Sequence, residues 1–210
     1  DLRNAGENNS IWDSTRGDKH WRWDQTGNES TTSMISSYDT YGMTLTNQSQ
    51  VNNRLYKYVA AGWKANGASR TTFTESGNNP GGGRQVNTTA GYSIIDYVGT
   101  GGNGTIAHGL GIVPDFIILK RLENADNWRT YDSVGGGTKA MRLNLNGGHG
   151  TSSSFYNDTD ATSSVFTVGT NSEINGDAET YIAYVFGSVK GYSKIASYKG
   201  NGNANGPFVY

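Results

Sequence analysis

The sequence contains no cysteine, which excludes disulfide bonds, thiolate metal sites and cysteine nucleophiles together. Charge is scarce and balanced, with 17 Lys and Arg residues against 18 Asp and Glu residues. A nucleic-acid-binding protein usually carries a basic patch, because phosphate neutralisation supplies much of its affinity. No basic run is present, so we predict no nucleic-acid partner.

Long apolar runs are also missing. No segment approaches the roughly 18 apolar residues that a membrane-spanning helix needs, so we predict no membrane insertion. The chain begins at Asp1 without a methionine or a signal peptide. We therefore expect a mature product or an internal piece of a longer chain.

Aromatic residues and glycine are abundant instead. The chain has 13 Tyr, 6 Phe and 5 Trp residues, together with 30 Gly residues. Aromatic and β-branched residues that are interrupted often by Gly and Asn are typical of short strands joined by tight turns. The composition therefore predicts an all-β fold.

The most informative feature is an internal repeat. Short apolar motifs recur 119 to 123 positions apart: Trp12-Asp13-Ser14 with Tyr131-Asp132-Ser133, Trp21 and Trp23 with Met141 and Leu143, Met43-Thr44-Leu45 with Phe166-Thr167-Val168, Val51-Asn52 with Ile174-Asn175, and Tyr58-Val59-Ala60 with Tyr181-Ile182-Ala183. Gly91-Tyr92-Ser93 recurs as Gly191-Tyr192-Ser193, only 100 positions later. The spacings agree if one unit has about 100 residues and the first copy carries an insertion.

This repeat divides the chain into four parts. Residues 1–63 form the later part of a first copy, and residues 64–90 form an insertion or linker rich in Gly, Asn and Thr. Residues 91–190 form a complete unit, and residues 191–210 begin a third. Within the insertion, the segment 77–84 has no apolar period and predicts an exposed loop.

The complete unit contains seven predicted strands: Tyr92–Val98, Gly104–His108, Asp115–Arg121, Trp128–Ser133, Lys139–Asn146, Ser164–Gly169 and Thr180–Ser188. In the last strand both faces are partly apolar, which is typical of a central strand. Short strands at this spacing favour tandem antiparallel β-sandwich modules of about 100 residues, with a small β-barrel as the alternative.

The order of these motifs resembles that of phage tail-fibre-like repeat proteins, which carry domains of unknown function and are common in phages of aquatic bacteria. The residues that carry the resemblance are Gly91-Tyr92-Ser93, His108-Gly109-Leu110-Gly111 followed by Pro114 to Lys120, Tyr131-Asp132-Ser133, Tyr181-Ile182-Ala183-Tyr184 and Gly191-Tyr192-Ser193-Lys194. The resemblance implies an adhesive or spacer module that is located in the virion or extracellularly. The implied partners are other copies of the chain and a host-surface glycan or protein, and no catalytic residue is implied. The first copy departs from the pattern through Trp21, Trp23 and its insertion.

Several polar residues have predicted structural roles in turns. His108 lies with Gly109 and Gly111 in a turn before Pro114, where glycine permits positive φ and the ring can bond nearby backbone. Asp13 and Asp132 occupy the same position of the repeat, which favours a turn cap over a catalytic acid.

We predict no metal site and no cofactor. His20 and His149 lie in dissimilar contexts without a clustered carboxylate or a second histidine at ligand spacing. The alternating Trp21 and Trp23 resemble a sugar-stacking platform, but the aligned Met141 and Leu143 favour the core face of a strand.

For ligand binding, the insertion is the candidate presenting loop, with Arg84, Asn78 and Asn79 as its binding residues. A plain linker between units is equally compatible with its composition.

Two other functional classes remain open. A polysaccharide-degrading tailspike enzyme would need two carboxylates about 5–10 Å apart, and acidic residues are scattered in loops of the second copy (Asp158, Asp160, Glu173, Asp177 and Glu179). Asp177 and Glu179 align with Arg54 and Tyr56 of the first copy, so we predict no enzyme. A self-assembling bacterial surface or extracellular filament subunit would be completed by neighbouring chains.

Overall fold

A computed structural model describes residues 9–65 and 70–208, and β-strands are the main regular secondary structure of these residues. The strands of the described residues are β1 (Ser10–Trp12), β2 (His20–Arg22), β3 (Ile35–Tyr38), β4 (Met43–Leu45), β5 (Thr71–Phe73), β6 (Gly81–Asn87), β7 (Tyr92–Val98), β8 (Gly104–Ala107), β9 (Phe116–Arg121), β10 (Arg129–Asp132), β11 (Lys139–Arg142), β12 (Gly150–Thr151), β13 (Val165–Val168) and β14 (Thr180–Phe186). Three single-turn helices, α1 (Ser49–Asn52), α2 (Ser153–Tyr156) and α3 (Ser172–Asn175), and one 3₁₀ turn (Gly136–Thr138) interrupt them. The predicted all-β fold is confirmed.

Eight strands form one antiparallel sheet in the order β12-β11-β10-β9-β14-β7-β6-β5. β14 lies in the middle and pairs with β7 on one side and β9 on the other. Its residues are buried on both faces, because each face of the sheet is covered by another layer. The prediction of a central strand is therefore confirmed.

The first face of the sheet carries the larger hydrophobic core, which includes Ile95, Leu119, Ala183 and Val185. The strand pair β8–β13 and the helices α2 and α3 add side chains such as Phe166, Tyr156 and Ile174 to this core. Tyr97 and Tyr181 stack here with ring centroids 5.1 Å apart.

The second face is covered by the hairpin β1–β2 and the loop that follows it. Trp21 packs edge-on against Trp128 at 5.6 Å, within a cluster that includes Ile94, Ile182 and Tyr184. The Asp13 carboxylate accepts a hydrogen bond from the Tyr184 hydroxyl at 2.8 Å and pairs with Arg16. The first copy of the repeat therefore packs on the central sheet of the second copy.

Lys120 of β9 contributes to the same contact between the two copies. Its side chain is fully buried, and its ammonium group donates to the carbonyl oxygens of Thr26, Asn124 and Asp126 at 3.3, 3.1 and 3.0 Å. Burial lowers the pKa of this amine to about 8, partly opposed by the Asp126 carboxylate. Because one of the three carbonyls belongs to the first copy, the lysine joins the two copies.

The internal repeat is visible in the strand registers. Ser10 pairs with Arg22 and Ile11 with Trp21, and their counterparts Arg129 with Arg142 and Thr130 with Met141 pair in the same way. α1 and α3 lie 123 positions apart, and β4 corresponds to part of β13. Sequence similarity between the copies therefore reflects shared local structure, while their division into tandem sandwich modules stays a prediction.

All seven strands predicted for the complete unit are present, and six match closely. The strand predicted over residues 139–146 ends at Arg142, so its predicted second half is wrong, and Leu143 and Leu145 are exposed. The Asn144 side chain accepts a hydrogen bond from the Trp128 backbone N–H at 3.0 Å, and Gly147 and Gly148 follow. These features turn the chain out of the sheet.

The loop predicted over residues 77–84 is wrong in its second half. Ser76–Asn79 forms a turn, but residues from Gly81 onward belong to β6, which pairs along its whole length with β7. Backbone hydrogen bonds hold this strand, and its glycines contribute no side chains to an apolar period. The sequence pattern therefore carried no strand signal.

Within residues 9–65 and 70–208, no helix is both long and apolar enough to cross a membrane.

Candidate functional site

The predicted binding residues Asn78, Asn79 and Arg84 form contacts within the chain. The Asn78 carbonyl accepts from the Thr100 hydroxyl at 2.8 Å, and the Asn79 side chain accepts from the Thr105 backbone N–H at 2.8 Å. Arg84 donates to the carbonyl of residue 107 at 2.8 Å. These bonds fix the turn between β5 and β6 against β8, although Asn78 and Asn79 stay exposed.

The turn after β8 is organised by His108, whose ring is buried. Its Nδ1 accepts from the Leu110 backbone N–H at 3.2 Å, and its Nε2 lies 3.1 Å from the carbonyl oxygen of Thr162. Burial lowers the pKa of the ring, and Arg84 adds to this effect. Gly109 and Gly111 both have φ of +75°, and Pro114 is buried beyond them. The arrangement gives the histidine a structural task and leaves no free ring nitrogen for a ligand.

Asp13 and Asp132 perform the same local task in the two copies. Each side chain accepts a hydrogen bond from the backbone N–H three residues ahead, at 3.1 Å from Arg16 and 2.8 Å from Gly135. Their other oxygens differ, since Asp13 faces Tyr184 whereas Asp132 lies 2.6 Å from Nε2 of His149. The shared bond is a turn contact, and the second bond is specific to each copy.

A groove of about 330 Å³ lies beside β11 and β12. Its floor contains Phe155 and Ala140, and the loop from Leu145 to Gly148 forms one wall. Arg129 lies with its guanidinium 4.2 Å from the Phe155 ring centroid and forms an ion pair with Glu173.

This groove offers hydrogen-bond donors at its open side. Arg142 and Asn146 are exposed there, next to the hydroxyl groups of Thr151 and Ser152. Donors and hydroxyls around an aromatic floor suit a hydroxylated or anionic ligand. Sequence reasoning missed this groove, and its only signal was the glycine-rich run after Asn146.

The hairpin β3–β4 presents the most exposed aromatic residue of the described chain, Tyr41, at 99%. The Asp39 carboxylate holds the turn by accepting from the backbone N–H groups of Tyr41 and Gly42 at 2.8 and 2.7 Å. A shallow hollow of about 450 Å³ lies alongside β3, with Tyr38 and Asp18 in its lining. Burial raises the pKa of Tyr38 to about 12.

Three of the five scattered carboxylates of the second copy are engaged in structural bonds. Asp160 accepts from the Gly137 backbone N–H at 2.7 Å, Glu173 pairs with Arg129, and Glu179 pairs with Arg121. Over residues 9–65 and 70–208, no group of three or more His, Asp or Glu side chains is placed to hold a metal ion. Hydrogen bonding and surface recognition are the chemistry that this arrangement supports best.

Comparison with known families identifies the chain as a member of DUF7483, a domain of unknown function, whose model matches residues 2–210. No curated protein matches the chain, and no solved structure matches it.

Proposed function

We propose that the chain is a structural and adhesive component of a virion, a tail-fibre-like spacer or receptor-binding module for the host surface. The proposal combines the resemblance of its motifs to phage tail-fibre-like repeats with the way its two copies pack. Membership of a family of unknown function neither adds to nor detracts from this assignment.

The packing of one copy on the next is the observation that carries the proposal. Trp21 and Asp13 of the first copy contact Trp128 and Tyr184 of the second, and Lys120 bonds to both copies. A spacer needs this kind of contact, because repeats that bury apolar surface against their neighbours form a continuous stack.

The receptor contact is assigned to the groove beside β11 and β12. Its open side combines Arg142 and Asn146 with hydroxyl groups, and loops on a rigid sheet are the usual carriers of recognition. Weak single sites gain strength when many copies act together, as they do in a fibre.

Two experiments test the two halves of the proposal. Immunogold electron microscopy with antibodies against the chain should label phage tails or fibres, and labelling of bacterial surfaces alone would contradict a virion role. Purified protein on multivalent beads should bind host envelopes, and Arg142→Ala should reduce that binding. Arg54→Ala changes an exposed arginine outside the groove and is the matched control.

The enzyme alternative has its own assay. Incubation of the protein with host capsular polysaccharide should release no reducing sugar. A steady release that scales with protein concentration would replace the adhesive assignment by a glycosidase.

A further inference from the structure

Two arginines lie opposite each other at the groove beside β11 and β12. Arg129 of β10 and Arg142 of β11 are direct cross-strand partners, and both line the groove. Like charges at opposed positions of two strands destabilise their pairing. This part of the sheet is therefore stabilised by any negative charge that lies close to the two guanidinium groups.

The chain supplies such a charge to one of the two arginines. Glu173 forms an ion pair with Arg129, whose guanidinium also lies 4.2 Å from the centroid of the Phe155 ring. Within residues 9–65 and 70–208, Arg142 forms no ion pair, and its side chain is exposed. The described lining of the groove contains no Asp or Glu residue. One positive charge at the open side of the groove is thus left for a ligand.

The strand geometry directs Arg142 to the groove side of β11. Arg142 follows Ala140 by two positions, and residues two apart in a strand share a face. Ala140 is buried in the floor of the groove, and Arg142 lines the same groove. A ligand bound to Arg142 therefore also covers the apolar floor.

The loop that forms one wall of the groove is anchored on both sides. Before the loop, the Asn144 side chain accepts a hydrogen bond from the Trp128 backbone N–H at 3.0 Å. After the loop, Nε2 of His149 lies 2.6 Å from a carboxylate oxygen of Asp132. A wall that is held in place before binding lowers the cost of ordering the site.

Asn146 and Thr151 add neutral hydrogen-bonding groups to the groove. An amide side chain carries both donors and an acceptor, and a threonine hydroxyl can donate or accept. Both residues are exposed, and over residues 9–65 and 70–208 neither side chain bonds to another residue. Together with Arg142 they suit a ligand that carries a negative charge next to hydroxyl groups.

We propose that the groove binds a carboxylated saccharide, with the carboxylate on Arg142 and sugar hydroxyl groups on Asn146 and Thr151. The guanidinium fork matches the two oxygens of a planar carboxylate. A single guanidinium balances the one charge of a uronic or sialic acid unit, whereas a phosphate monoester carries about −1.5 to −2 charges. The groove volume of about 330 Å³ is at the small end of the range for ligand sites, about 300–1,000 Å³, and suits a short piece of a saccharide chain.

The proposal is tested by isothermal titration calorimetry with three acidic saccharides. These are trigalacturonic acid, an oligosaccharide that contains glucuronic acid, and a sialyl-lactose. Each is compared with its fully methyl-esterified form, which has the same sugars without the charge. We expect at least one acid to bind about tenfold more tightly than its ester, because a hydrogen bond to a charged group is lost in the ester.

Three variants assign that preference to the groove. Arg142→Ala should remove the preference for the acid, and Arg142→Lys should retain part of it, because lysine keeps the charge without the fork. Arg22→Ala is the matched control, since Arg22 has the same repeat position in β2 and does not line the groove. Circular dichroism shows whether each variant is folded, and the comparison of acid with ester on the unchanged chain needs no variant.

Equal affinities for the acids and their esters would overturn the proposal. So would the absence of binding to all three acids, binding of a sulfated lactose alone, or a preference that Arg142→Ala leaves unchanged.

The inference rests on the receptor site proposed above, and the two can fail separately. If no acid binds but Arg142→Ala still weakens binding to host envelopes, the receptor site stands and the carboxylated ligand is wrong. If the acid preference depends on Arg142 but the protein does not bind host envelopes, the ligand class stands and the adhesive function is contradicted.

Discussion

Replacing Trp21 by alanine tests whether the two copies form one cooperative unit. The side chain is 1% exposed, packs edge-on against Trp128 and lies beneath the Arg16 guanidinium at 3.5 Å. Truncation of a buried tryptophan costs about 3–5 kcal/mol, and the aromatic pair adds about 0.5–1.5 kcal/mol. Because the indole N–H has no hydrogen-bond partner, no hydrogen bond is lost.

We therefore expect the Trp21→Ala free energy of unfolding to fall by about 4 kcal/mol, with Tm lower by about 10 °C. Urea and thermal unfolding followed by circular dichroism measure both quantities. Trp23→Ala is the matched control, since Trp23 is 38% exposed, and its replacement should cost less than about 1 kcal/mol. If Trp21→Ala lowers the free energy of unfolding no more than Trp23→Ala does, the packing of the first copy on the central sheet is refuted.

Three further predictions concern single residues of the second copy. Lys120→Met should lose about 2–3 kcal/mol in urea unfolding, because three buried carbonyls lose their donor. Since the pKa of Lys120 is lowered to about 8, its contribution to stability should rise with pH between about 8 and 10.5, and Lys120→Met should lack that rise. The pKa of His108 is also lowered, so stability should fall as pH drops below about 6.5, and His108→Gln should flatten this profile. Gly104→Ala should destabilise by more than about 2 kcal/mol because its Cβ would overlap the Asn78 carbonyl, whereas Gly147→Ala has open space and should be neutral in the same urea assay.

The complete unit was predictable because its strands alternate with turns in the usual way. Tyr92–Val98 was located to the residue, and the two apolar faces of Thr180–Phe186 correctly placed it at the centre of the sheet. The core position predicted for Trp21 is confirmed, but the same prediction for Trp23 is wrong: Trp23 is 38% and the aligned Leu143 40% exposed, because β2 ends at Arg22 and β11 at Arg142.

Contacts that join distant segments were not predictable. Nothing in the sequence around Asp13 indicates that its carboxylate meets Tyr184, 171 positions away. The three carbonyls around Lys120 are backbone groups, which every residue type carries. The strand β6 was missed for a related reason. Backbone hydrogen bonds to β7 hold its glycine-rich half, and the side-chain pattern does not report such bonds.

The candidate binding residues were also predictable only in part. Exposure of Asn78 and Asn79 follows from their turn composition, but their bonds to Thr100 and to Thr105 of β8 depend on tertiary packing. The groove at Arg142 forms where β11 ends early and a glycine-rich loop begins. Single-sequence patterns do not report how such a loop returns to α2.

The most direct test of the account is cryo-electron microscopy of the native particle that contains this chain. We predict a fibre-like assembly attached to a virion, in which the hairpin β1–β2 packs on the neighbouring eight-stranded sheet through Trp21. A particle without a virion, or a fibre in which that hairpin lies away from the sheet, would contradict the central claim.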